Sequence, residues 1–207
     1  MKSIYEKLLL APLTDIVCSL PVLSRNRRKV VPHAEGVILE PGIGSGLNLR
    51  HYDPQRVRRV IGVDPSENLV RLARERAKEV PFPVEIAERS AEELPLENAS
   101  VDTVILTFTG CSIPDVSQAL SEFRRVLKPG GRLLFCEHGR SHEHRVARFQ
   151  DLANPVWRSL AGGCHLNRDI ERLLQEAGFD LERCERFYAM PRPRFISYMY
   201  VGSAVSR

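Results

Sequence analysis

Past residue 36, short apolar runs alternate with stretches in which apolar residues recur every third or fourth position. Val37-Ile38-Leu39 predicts a strand ending in Glu40, followed by a glycine turn and a helix to about Tyr52. Val60-Ile61-Gly62-Val63 predicts a second strand ending in Asp64. Ser66 then caps a helix with Leu69, Val70, Ala73 and Ala77 on its apolar face. Val84-Glu85-Ile86 and Val101 to Phe108 read as the third and fourth strands. Asp115, with Gln118 three residues on, opens a helix that buries Val116, Ala119, Leu120, Phe123 and Leu127 and stops at Lys128-Pro129-Gly130-Gly131. Leu133 to Cys136 makes a fifth strand. A helix over about 143–161 contains Pro155, and another opens at Asn167, buries Ile170, Leu173, Leu174 and Ala177, and ends at Gly178. Leu181 to Phe187 and Phe195 to Val205 close the chain as an antiparallel hairpin. This β-α alternation predicts an α/β fold, a doubly wound and mostly parallel sheet with helices on both faces.

Residues 1–30 stand apart. Ile4, Tyr5, Leu8, Leu9, Leu13, Ile16, Val17, Leu20 and Leu23 recur near helical spacing, which predicts two short amphipathic helices divided around Pro12. Arg25-Asn26-Arg27-Arg28-Lys29 follows. Two readings stay open: a lid with a solvated basic linker, or a membrane-surface element with basic anchors. A spanning helix needs about 18 apolar residues. Ile4 to Leu23 does not supply them, because Glu6, Lys7 and Asp15 charge it and Pro12 and Pro21 break it. The basic cluster follows the apolar stretch, which also fits a signal peptide poorly. The domain expected after this lid is 31–207.

With 43% hydrophobic and 27% charged residues, the chain is neither disordered nor fibrous. Its 30 basic and 26 acidic side chains give a net +4, short of a nucleic-acid-binding signature. Five cysteines, none at C-x-x-C spacing, argue against a disulfide framework or a structural metal site, and for a reducing, cytoplasmic setting.

The most informative constellation is Glu40-Pro41-Gly42-Ile43-Gly44-Ser45-Gly46, between a strand and a helix start. Glycines here let a ligand approach the main chain. Asp64 ends the next strand eighteen residues past Gly46, where a carboxylate can accept both hydroxyls of a ribose. A dinucleotide fingerprint would place a third glycine at Leu47. Glu40 is ill placed beside a pyrophosphate and well placed beside an ammonium or sulfonium, so S-adenosylmethionine fits better than a nicotinamide cofactor. Ser90-Ala91-Glu92-Glu93-Leu94-Pro95 forms a polar loop able to reach an adenine edge.

ILEPGIGSG, GVDPSENL, SAEELPLENASVDTVI and RRVLKPGGRLLF resemble the successive motifs of class I S-adenosylmethionine-dependent methyltransferases. The resemblance implies a seven-stranded sheet of order 3-2-1-4-5-7-6 with strand seven antiparallel. It implies that the methionine end of the cofactor lies on the turn of Gly42, Gly44 and Gly46 near Glu40. Asp64, followed by Pro65, would hold the ribose, Leu69, Ala91 and Glu92 would flank the adenine, and Thr107 and Phe108 would line the transfer face. Ser90 stands where many members carry Asp.

The acceptor side is less determined. Cys111 and Ser112 follow the fourth strand, and Glu137-His138-Gly139 follows the fifth. His138 is a candidate base, with His142 and His144 in the same loop, but no ligand spacing there indicates a metal. Gly162-Gly163-Cys164-His165-Leu166-Asn167 offers His165 or Asn167 to a pocket, or a plain capping turn, while Trp157 and Phe149 read as core. The lid and the 138–167 insert are apolar, which suggests a small hydrophobic or amphiphilic acceptor. TGCSIPD, the EHG after strand five, WRSLAGGCHLNR and FISYMYVGSA are similar to the alkyl thiol S-methyltransferases of microsomal membranes and their bacterial relatives. Phosphatidylethanolamine N-methyltransferases and quinone C-methyltransferases are similar over the core. A thiol is the first expectation and an amphiphilic amine the second; a non-catalytic cofactor-binding module is the alternative of another class.

Overall fold

The computed structural model describes residues 11–206. The expected apolar positions Ile4, Tyr5, Leu8 and Leu9 lie outside the described residues. Seven strands form one sheet: β1 (Gly36–Pro41), β2 (Val57–Val63), β3 (Val84–Ala87), β4 (Val101–Thr107), β5 (Leu127–His138), β6 (Phe179–Tyr188) and β7 (Tyr198–Ser206). Their order is β3-β2-β1-β4-β5-β7-β6. The first five pair in parallel, and β7 runs antiparallel to both β5 and β6.

Six helices complete the described fold: α1 (Ala11–Cys18), α2 (Pro21–Arg27), α3 (Glu67–Ala77), α4 (Val116–Val126), α5 (His144–Leu160) and α6 (Ile170–Glu176). Side chains alternate across the sheet. Leu39, Val104, Leu133 and Phe135 face one core, which α4 closes with Leu120 and Phe123 and α6 with Leu174. Ile38, Val60, Ile105 and Leu134 face a second core, closed by Val31, Leu49, Tyr52 and Phe82.

Several boundaries differ from expectation. Among the described residues Pro12 sits inside α1 and a break falls between Cys18 and Pro21; the helix expected before Pro12 lies outside the described residues. The glycine turn opens no α-helix, only turns and one 3-10 turn at Leu49–His51. Gly46 has φ +81° and Pro54 disfavours helix at Asp53, so too few residues remain to nucleate one. Ser66 sits at the N-cap of α3, but its side chain makes no capping hydrogen bond there; its backbone N–H donates to Asp64 Oδ1 at 2.8 Å. Asp169 rather than Asn167 caps α6, accepting from Arg172 N–H. Asp115 caps α4 as expected, and Gln118 N–H donates to it.

Candidate active site

β1 and β4 lie side by side while their connections leave in opposite directions, so a crevice opens at the carboxyl ends of the central strands. A cleft of about 320 Å3 occupies it, within the range of small-molecule sites. Glu40, Gly42, Gly44, Asp64, Pro65, Leu69, Ala91, Thr107 and Phe108 all line it. Gly46 and Glu92 do not. A larger open groove, about 1400 Å3, crosses the opposite ends of the strands near Gly36 and Lys128. Its charges pair with one another, Lys128 with Asp102 and Arg56 with Glu35.

Gly42 has φ +63°, and a Cβ there would fall 2.2 Å from Thr109 Cγ2. Gly44, at φ +56°, would direct a Cβ into space whose nearest atom is the Gly42 carbonyl at 3.8 Å. The first glycine therefore permits the turn, and the second bares backbone to the cleft. Asp64 braces the turn: its Oδ2 accepts from Gly44 N–H at 3.0 Å.

Glu40 is buried. Its Oε1 accepts from Asn48 Nδ2 at 2.9 Å and its Oε2 from Tyr52 OH at 2.6 Å. Burial pushes its carboxyl up to about 7, against the hydrogen bonds from Tyr52 and Asn48 and the charge of Arg27. Asn48 Nδ2 also reaches Thr107 Oγ1 at 2.8 Å, tying the turn to β4.

Arg27 corrects the expected solvated linker. It is buried and lines the cleft, and its neighbours Ser24 and Asn26 are buried as well. Its Nη1 donates to the Cys18 carbonyl at 2.6 Å, and its guanidinium lies 4.8 Å from the Phe108 ring centroid. Phe108 has φ +52°, a strained conformation for a residue with a side chain. Glu137 holds the following turn, its Oε1 accepting from Thr109 N–H at 2.8 Å and Gly110 N–H at 2.9 Å. Arg27 was missed because a basic run reads as solvated. Its three-residue spacing from Ser24 on one helix was the available signal.

α1 walls the cleft with Ala11, Thr14 and Cys18. Asp15 clasps it down, bonded to Arg76 Nη1 on α3 at 2.8 Å and to Ser45 Oγ in the glycine turn at 2.5 Å. Arg76 Nη1 also donates to the Ser45 carbonyl at 2.6 Å.

Glu92 is turned away: Oε1 accepts from Asp115 N–H and Oε2 from Ser90 Oγ, both at 2.6 Å. On the acceptor side, Ser112 rather than Cys111 lines the cleft, with Ile113, Pro114, Ala161 and Gly162. His138 Nε2 lies 3.1 Å from Cys164 Sγ, and Trp157 Nε1 donates to the same sulfur at 3.4 Å. A hydrogen bond with Cys111 and burial hold the Cys164 thiol above its usual range. His165 N–H donates to the Cys111 carbonyl, and burial, helped by Arg168 and Arg158, lowers its ring to about 4. His142 bonds Tyr198 OH at 2.7 Å instead of joining His138. Phe149, read as core, is 51% exposed.

Two carboxylates and one guanidinium beside a glycine turn that carries no side chain into the cleft suit a cofactor with an ammonium, a carboxylate and a ribose. They do not suit a pyrophosphate. The comparisons agree. A family described as "Methyltransferase domain" matches residues 39–135. The chain is 29% identical over 178 residues to the yeast "Methyltransferase OMS1, mitochondrial", covering 77% of this chain and 37% of that one. It is 32% identical over 149 residues to the rat "Thiol S-methyltransferase TMT1B", covering 70% and 60%. It thus spans less than two thirds of either relative. A solved S-adenosylmethionine-dependent methyltransferase of Thermotoga maritima, titled a possible histamine N-methyltransferase, shares the fold with TM-score 0.68 at 22% identity, covering 98% of each chain. The chain thus carries a match to a methyltransferase domain over residues 39–135 and shares its fold with a solved S-adenosylmethionine-dependent methyltransferase.

Proposed function

We propose that the protein methylates a small, largely apolar acceptor, with a thiol as the nucleophile. The observation that carries the cofactor half is the pairing of Glu40 and Asp64 across the bared Gly44 in one cleft. When bound, S-adenosylmethionine supplies a methyl group on a positively charged sulfur. Glu40 would hold its ammonium and Arg27 its carboxylate. Asp64 would accept from the ribose, and Pro65, Leu69 and Ala91 would hold the base, with Glu92 fixing that loop through Asp115 and Ser90. Gly42 and Gly46 shape the turn, and Thr107 and Phe108 wall the transfer face.

The acceptor half rests on the apolar wall of Leu47, Ile113, Pro114 and Ala161, and on the likeness to a named thiol S-methyltransferase. A held nucleophile next to a reactive carbon gains most of its rate from positioning. A thiol needs only a modest base; His138, 3.1 Å from Cys164 Sγ and behind the residues that line the cleft, is the candidate base when no ion occupies its Nε2. His165, its ring lowered to about 4 and outside the residues that line the cleft, is not that base.

Eight large apolar side chains are exposed among the described residues: Leu13, Ile16, Val17 and Leu20 in and just after α1, and Phe149, Leu152, Val156 and Leu160 along one stripe of α5. Exposed Arg25, Arg28, Arg145 and Arg158 neighbour these groups along the chain. This supports peripheral contact with an anionic membrane surface. No helix among the described residues is long and apolar enough to cross a membrane.

The test is methyl turnover against alkyl thiols, lipid amines and quinols, with calorimetry of S-adenosylhomocysteine. Turnover confined to thiols is expected. Turnover with amines or quinols alone would replace the thiol, and cofactor binding without any turnover would leave a binding module.

A further inference from the structure

One cluster of chemistry-bearing side chains is not used by the cofactor. Cys111 follows β4, His138 ends β5, and Cys164 lies in the turn after α5. Three segments well separated in sequence bring two thiols and an imidazole together. Their donor atoms all lie within 4.8 Å of one another, with His138 Nε2 3.1 Å from Cys164 Sγ.

This donor set is soft and neutral until deprotonated, and it suits a thiophilic, tetrahedral ion. Zinc–sulfur bonds of about 2.3 Å and zinc–nitrogen bonds of about 2.0–2.1 Å place tetrahedral ligand atoms about 3.5–3.8 Å apart. The present spacing brackets that, so small side-chain shifts would admit an ion. The surroundings are also those of a supported site. Trp157 Nε1 donates to Cys164 Sγ, and Ser112 Oγ lies 3.4 Å from Cys111 Sγ. The loop bearing Cys111 is fixed from both sides: Glu137 takes the Thr109 and Gly110 amides, and Arg168 donates to the Gly110 and Ile113 carbonyls.

We propose that Cys111, His138 and Cys164 form a binding site for a thiophilic divalent cation, zinc being the ion their donors suit. Binding displaces the thiol protons to solvent. Three protein ligands leave a tetrahedral ion one position for an outside ligand. Ser112 and Ile113 beside Cys111, and Ala161 and Gly162 near Cys164, line the acceptor end of the cleft. Resting on the thiol reading above, an acceptor sulfur is the ligand that position would take.

The test dialyses the protein, kept reduced by a phosphine, against Zn2+, and separately against Co2+ for its sulfur-to-metal absorption. One ion per chain is expected, with a charge-transfer band for cobalt. Cys111→Ser and Cys164→Ser should each weaken uptake at least about tenfold, and Cys184→Ser, on β6, should not. Mapping alkylation in the unsubstituted protein avoids any folding defect of the variants: Zn2+ should shield Cys111 and Cys164 and leave the rate at Cys184 unchanged. No uptake, uptake equal in all variants, or no shielding overturns the site. S-adenosylhomocysteine binding and thiol turnover are measured on the same samples. Cofactor binding without zinc uptake sinks the metal site alone, and zinc uptake without thiol turnover sinks the thiol reading alone.

Discussion

Asp64 has two jobs that a single substitution separates poorly. It holds Gly44 N–H and Ser66 N–H, and it faces the cleft. Asp64→Ala should weaken S-adenosylhomocysteine binding roughly ten- to hundredfold by calorimetry, the loss of charge-assisted hydrogen bonds worth about 1.5–3 kcal/mol. An unchanged affinity would remove Asp64 from the ribose. Glu40 makes a different prediction, because its carboxyl is raised to about 7 when folded and is ordinary, near 4.5, when unfolded. A protonated Glu40 favours the fold fully below pH 4.5, and that contribution is lost as pH rises through 7, costing roughly 3 kcal/mol. Glu40→Gln should therefore gain stability over the natural chain at pH 8 in urea unfolding. The gain should shrink towards pH 5, while cofactor affinity falls. Equal stability differences at both pH values would mean that Glu40 is not held against its charge.

At the scale of elements, the clasp from α1 to α3 is the piece most open to test. Asp15 and Arg76 are partly exposed, so breaking their pair should cost global stability under about 1 kcal/mol. Asp15→Ala should nevertheless speed proteolysis within residues 11–27 and raise the cofactor dissociation constant severalfold. Proteolysis that does not change would show that the helix is seated by its apolar side alone. Much of this architecture was legible. Strand ends at Glu40 and Asp64, the α4 cap at Asp115 and the terminal hairpin follow from local periodicity and turn chemistry. What escaped depends on contacts between distant segments. Asn48 and Tyr52 are unremarkable in sequence and meet only at Glu40. Arg27 hides in a basic run, and Cys164 is recognisable only once α5 carries it back towards Cys111 and His138. The positive φ of Phe108 is likewise imposed by its surroundings.

For the molecule as a whole, α5 carries an exposed apolar stripe and α1, which walls the cleft, carries another group of exposed apolar side chains. Burying each large side chain is worth about 1.5–3 kcal/mol, so a few inserted residues can hold the protein at a bilayer. Vesicles containing anionic lipid should carry the protein upward in flotation. The pair Leu152→Asp and Val156→Asp should abolish this while leaving S-adenosylhomocysteine affinity intact. Flotation of both proteins alike would confine the contact to other residues. The Asp15 latch also bears on tempo. α1 walls the cleft and is pinned to its glycine turn, so opening the cleft on that side to release spent cofactor would require an unlatching of Asp15. If that step is the slowest, the maximal rate should fall in proportion to solvent viscosity and be indifferent to how reactive the acceptor is.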